Sequence, residues 1–111
     1  MELFVYGTLT APEVLRSLTG RVFDREPARL RGFRRFQPAG SYPYILPSPD
    51  DYVEGTVLRG LDQEDLRALD RYEGEGDLYF RTEVVVETAQ GACSCLTYVA
   101  NGAALERLRV A

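Results

Sequence analysis

Between Asp62 and Gly76 the chain carries its one sharply specified helix, and most of what surrounds it is short β-rich runs cut by glycine and proline. Asp62 is a natural N-cap, and Gln63, Glu64 and Asp65 load the first turn with acceptors. Leu61 and Leu66 stand at hydrophobic-staple positions. Leu66, Leu69 and Tyr72 then recur at a three-residue spacing on one apolar face, and Gly74 with Gly76 ends the helix. The runs Tyr79–Glu87 and Cys93–Val99 read as two strands joined by a hairpin connection over Thr88–Ala92. Thr82, Val84 and Val86 alternate with Glu83, Val85 and Glu87, so one side of this sheet faces water.

The first half is more broken. Leu3 to Val5 forms an apolar opening strand that Gly7 interrupts, and Thr10-Ala11-Pro12-Glu13 reads as a second helix start, with Thr10 as cap and Glu13 as its capping-box partner. Gly20 stops that helix. From Val22 to Phe36 two short strands with a bend are expected, because Pro27 and Gly32 mark breaks. Pro47-Ser48-Pro49-Asp50 reads as a loop between the short segment Tyr44–Leu46 and a strand over Tyr52–Leu58, in which Gly55 marks a bulge or a close approach. Five or six short strands around two or three helices give an α+β fold. A partly closed barrel is the expected way to manage so many edges. With 111 residues and no internal repeat or linker, residues 1–111 are expected to form one domain.

The chain has no histidine and no lysine. Histidine-based nucleophilic pairs, proton shuttles and imidazole metal sites are therefore excluded, as is Schiff-base chemistry. Acid–base work falls to carboxylates, tyrosines, cysteines or backbone groups, and no metal or organic cofactor is expected. The formal charge of -4 argues against nucleic acid as a partner, so the arginines at 29, 31, 34 and 35 read as a solvated strand face. Cys93 and Cys95, two apart in a strand, have poor geometry for a disulfide. No charged-then-apolar leader opens the sequence and no run of about 18 apolar residues occurs, so a cytoplasmic protein with no membrane partner is expected.

Two places can carry chemistry. In Val5-Tyr6-Gly7-Thr8-Leu9 a strand runs into glycine and a helix start, which lets a ligand approach the backbone and offers it N–H groups; a plain tight turn has the same pattern. In Leu69–Arg81, Glu73 stands at a helix C-terminus beside Asp70 and Glu75. The helix dipole and those neighbours push its pKa upward, as suits a general acid–base, although a solvated helix end has the same sequence.

Tyr6-Gly7-Thr8-Leu9, Gly40-x-Tyr42-Pro43, Val53-Glu54-Gly55-x-Val57 and Leu69-Asp70-x-Tyr72-Glu73-Gly74-x(4)-Tyr79-x-Arg81 together resemble the gamma-glutamylcyclotransferase-like family, in its short branch of gamma-glutamylamine cyclotransferases and avirulence-induced proteins. The resemblance runs from Leu3 to Tyr98. It implies a small mixed β-barrel with flanking helices, and release of 5-oxoproline from a gamma-glutamyl substrate without a cofactor. It implies Glu73 as the catalytic residue, and Tyr6, Gly7, Thr8, Leu9, Tyr79 and Arg81 as substrate-binding positions. A silent relative that binds a small acidic metabolite or a protein partner is the alternative. Glu75, Asp77 and the tail past Tyr98 depart most from the pattern and bear on substrate choice.

Overall fold

In a computed structural model, residues 1–40, 42–76 and 78–103 are described. They contain β1 (Leu3–Val5), α1 (Pro12–Thr19), β2 (Asp24–Phe36), β3 (Tyr44–Arg59), α2 (Gln63–Glu73), β4 (Tyr79–Thr88) and β5 (Gly91–Ala100). The five strands close into a barrel in the order β1-β3-β2-β4-β5. All neighbours are antiparallel except β1 and β5, which meet in parallel at Leu3 and Leu96 and make the barrel mixed.

Closure leaves two apolar layers. Phe4, Ala28, Leu30, Ile45, Val53, Val57, Val86 and Cys95 pack together inside the barrel. Leu3, Val5, Leu58 and Tyr98 instead face outward and pack with Leu15 of α1 and Leu66 and Leu69 of α2. β1 therefore lies between the two layers, all three of its residues are buried, and its sequence is uniformly apolar rather than alternating. Along β4, Val86 is buried while Val85 is 60% exposed, as the alternation requires.

α2 forms as its sequence dictates. The Asp62 carboxylate accepts from the Asp65 N–H at 2.8 Å, the Asp65 carboxylate accepts from the Asp62 N–H at 3.0 Å, and Leu61 and Leu66 are both buried. Gly74 ends the helix in the left-handed region at φ 69°.

Three expectations are corrected. The N-cap of α1 is Ala11, with no side-chain cap. Residues Thr8–Thr10 are already wound into a 3₁₀ turn, in which the Thr10 hydroxyl donates back to the Gly7 carbonyl at 2.6 Å, and Thr10 stands one residue before the cap position. Val22–Phe36 is not two strands, since Asp24–Phe36 is continuous: Pro27 is tolerated because β4 pairs with β2 only at Ala28 and Arg29. Pro47–Asp50 is not a loop between strands. Phe33 pairs with Pro47 and Arg31 with Tyr52, so Ser48–Asp51 bulge opposite Gly32 (φ 87°) within one sixteen-residue strand. No helix among the described residues is long and apolar enough to cross a membrane.

Candidate functional site

A concave pocket of about 170 Å³ opens where the segment after β1 meets the end of α2 and the start of β4. Tyr6, Gly7, Thr8 and Leu9 form one wall, Glu73 and Tyr79 another, with Pro43, Tyr72, Leu78 and Tyr98 between them. Chain geometry explains the convergence. Glu73 is the last residue of α2, and Gly74 reverses the backbone so that β4 begins only six residues later. The Gly7 position needs a residue without a side chain, because a Cβ there would lie 2.6 Å from Cγ of the rigid Pro43 ring. Gly55 is a close approach as expected: its Cβ would lie 2.4 Å from the Val5 carbonyl oxygen.

Glu73 carries the only carboxyl side chain among the described residues that line the pocket. Its carboxyl is pushed up from 4.5 to about 7, and the cause is burial. The direction is the one read from the sequence, and burial is a cause that reading did not name. Asp70 does not bear on Glu73 as a bare charge, because it is paired with Arg81 at 2.8 Å. Around Glu73 stand phenols. The Tyr6 hydroxyl donates to the Tyr98 carbonyl, the Tyr98 hydroxyl to Asp70 at 2.7 Å, and the Tyr79 hydroxyl to the Pro43 carbonyl at 3.2 Å. Burial pushes Tyr79 up to about 12, and Tyr6 and Tyr98 further still, so all three are neutral hydrogen-bond donors at physiological pH.

Of the residues singled out from the sequence, Tyr6, Gly7, Thr8, Leu9, Glu73 and Tyr79 share this pocket, and Arg81 does not line it. Arg81 is spent on Asp70, one helical turn behind Glu73. The arginine-rich strand divides its roles. Arg29 pairs with Glu54 and stacks on Tyr52, Arg31 pairs with Glu87, and Arg34 lies over Phe36. Arg35 was misread as merely solvated: its Nε donates to the Tyr6 carbonyl at 3.0 Å and anchors the glycine loop. Tyr98 was missed as a site residue. The signal for it is register, since Tyr98 pairs across β4 and β5 with Arg81 and so shares its face. Glu75 lies outside the pocket lining, its N–H donating to the Asp70 carbonyl at 2.9 Å. Asp77 and residues 104–111 are outside the described residues. Among the described residues no group of three or more His, Cys, Asp or Glu side chains is placed to hold a metal ion.

The family model described as gamma-glutamyl cyclotransferase, AIG2-like, matches residues 3–110. The chain belongs to this family. It is 47% identical over 73 residues to AIG2-like protein C of Arabidopsis thaliana, a match covering 65% of this chain and 42% of that protein. The chain spans about half the length of the curated relatives it matches. Among solved structures, the solution structure of an Arabidopsis thaliana protein superposes with a TM-score of 0.81 at 29% identity, over 98% of this chain and 82% of that one. A structure titled gamma-glutamyl cyclotransferase superposes with a TM-score of 0.75 at 25% identity, over 90% of this chain and 66% of that one. Family and fold are thus gamma-glutamyl cyclotransferase-like.

Proposed function

We propose that this chain is a cofactor-independent cyclotransferase, releasing 5-oxoproline from a γ-glutamyl amine, amino acid or peptide with Glu73 as general acid and base. One observation carries the reading: a single half-buried carboxyl, pushed up to about 7, lies in the same pocket as the Tyr6–Leu9 loop. A γ-glutamyl group contains its own nucleophile, because attack of the α-amine on the γ-carbonyl closes a five-membered ring. The reaction is intramolecular, so the protein has to hold a folded conformer and move protons, and no water attacks.

The ionised Glu73 takes a proton from the substrate ammonium. The freed amine forms the new C–N bond to the γ-carbon, and a tetrahedral oxyanion results. Glu73 returns its proton to the departing nitrogen as the old C–N bond breaks, the ring nitrogen gives up its second proton to the released amine, and the products are 5-oxoproline and an ammonium. A group with pKa near the working pH serves both transfers. The first N–H groups of the Thr8–Thr10 turn have no acceptor within that turn, which suits them to the α-carboxylate or the oxyanion. Neutral Tyr79 and Tyr98 line the pocket without adding charge, their hydroxyl hydrogens given to the Pro43 carbonyl and to Asp70.

Mass-spectrometric detection of 5-oxoproline tests the reading. The panel comprises γ-glutamyl amino acids, γ-glutamyl amines, γ-glutamyl-ε-lysine and glutathione, each beside Glu73→Gln. Product that depends on Glu73 is expected, and substrates with an acylated α-amine are expected to be inert. Silence across the panel from a folded protein would overturn the catalytic reading in favour of binding a small acidic metabolite.

A further inference from the structure

Arg81 matches a substrate-binding position by sequence, yet its guanidinium does not line the pocket. The reason lies in two spacings. Tyr79 and Arg81 are two apart on β4 and point to one face of the sheet. Directly opposite them on β5 stand Ala100 and Tyr98. On α2, Asp70 and Glu73 are three apart and lie on one side of the helix. When the helix is laid on the sheet, Asp70 fits between Arg81 and Tyr98. Arg81 Nη1 donates to Asp70 Oδ2 at 2.8 Å, and the Tyr98 hydroxyl donates to Asp70 Oδ1 at 2.7 Å. Both oxygens of the carboxylate are thereby engaged by neighbouring strands.

The backbone of Asp70 closes the same joint. Its carbonyl accepts the Gly74 N–H that caps the helix and the Glu75 N–H at 2.9 Å. One residue therefore fastens the last turn of α2 to the barrel and sets where that turn stops. Glu73 is carried on this turn. Tyr98 is tied onward to the loop wall, because its carbonyl accepts the Tyr6 hydroxyl.

We propose that Arg81, Asp70 and Tyr98 form a positioning bridge that holds Glu73 in the pocket, with Arg81 acting on the reaction through Asp70 and not on the substrate. This rests on the cyclotransferase reading for its kinetic consequence, but the bridge itself is testable without turnover. A helix end released from the sheet lets the Glu73 carboxyl swing toward water. The groups that face Glu73 from the other elements are the phenols of Tyr6, Tyr79 and Tyr98, all neutral, so Asp70 and Arg81 are the charges to control.

Two measurements test it. In the first, steady-state kinetics are compared for Arg81→Ala, Arg81→Lys and Tyr98→Phe, with urea midpoints confirming that each variant is folded. A fall in kcat of roughly 10- to 100-fold is expected for Arg81→Ala, the range of a misplaced catalytic group, with KM changed less than about twofold. Arg81→Lys, which keeps the charge, should recover most of the loss. A rise in KM with kcat preserved would make Arg81 a substrate ligand and overturn the proposal, as would wild-type kinetics in a folded Arg81→Ala. In the second, the Glu73 side-chain carboxyl is titrated by carbon-13 NMR in wild type and in Asp70→Asn/Arg81→Gln, which removes both charges together. The midpoint is expected to fall from about 7 toward 4.5, and an unmoved midpoint overturns the bridge. Wild-type silence on the whole γ-glutamyl panel would sink the function while leaving the NMR result to decide the bridge.

Discussion

Replacing Glu73 with glutamine should make the protein more stable at pH 8 while abolishing its chemistry. Glu73 ionises near 4.5 in an unfolded chain and near 7 in the folded one, because burial opposes the charge. Between those values the folded state holds a proton that the unfolded state has released, so stability falls as pH rises. The loss is complete above about pH 7 and absent below about pH 4.5. At about 1.4 kcal/mol per pKa unit, the rise from 4.5 to about 7 corresponds to roughly 3 kcal/mol. Glutamine has nearly the same shape and never ionises, but its buried amide forgoes about 1 kcal/mol of hydration. The net gain expected at pH 8 is therefore about 2 kcal/mol, or roughly 10 °C in Tm for a domain of this size. Urea unfolding of both proteins at pH 4.5, 6 and 8 measures it, and contributions from every other carboxyl cancel in the difference. Glu73→Gln should be the less stable by up to about 1 kcal/mol at pH 4.5, where only the amide cost remains, and the more stable by about 2 kcal/mol at pH 8. A difference independent of pH, or a wild type that is the more stable at pH 8, would refute the view that burial raises this carboxyl.

Three further outcomes are expected. The kcat/KM of the cyclisation should rise with pH along an acid limb centred near 7, since the proposed mechanism starts from ionised Glu73; a limb near 4.5 would mean that a hydrated carboxylate does the work. Gly55→Ala should cost about 1–3 kcal/mol in urea unfolding, because its Cβ would stand 2.4 Å from the Val5 oxygen and 2.7 Å from the Phe4 ring; unchanged stability would show that β1 moves away freely. Gly7→Ala should lower turnover by about 10-fold through displacement of Pro43, whose carbonyl holds the Tyr79 hydroxyl; wild-type turnover would show that this contact does not shape the pocket.

The parts of the fold legible in the sequence are those governed by local chemistry. The capping box at Asp62 and Asp65, the staple of Leu61 on Leu66 and the left-handed stop at Gly74 depend on residues a few positions apart, and all are present. Local chemistry misled where a long-range pairing outweighed it. Pro47, Pro49 and Asp50 have turn composition, yet the ladder with β2 resumes on both sides and turns the break into a bulge. Thr10 has cap chemistry, but it is wound into the preceding turn and stands one residue before the cap position. Arg35 looked like one more solvated arginine, because nothing in its neighbourhood along the chain shows that the Tyr6 carbonyl lies within reach.

The sequence by itself determined which chemistry is open to this protein. Without histidine or lysine, proton transfer near neutrality falls to a carboxyl, and the ordered motifs single out Glu73 and the Tyr6–Leu9 loop. Only the tertiary structure decided why that carboxyl holds its proton toward neutrality. Its raised pKa comes from water excluded by residues distant in sequence, a cause that a linear reading does not show. The fate of Arg81 was decided there as well. Spacing along β4 gives the face on which its guanidinium stands, but only the docking of α2 across β4 and β5 sets Asp70 between it and Tyr98. A side chain's partner is fixed by which elements pack together, and that depends on the whole folded chain.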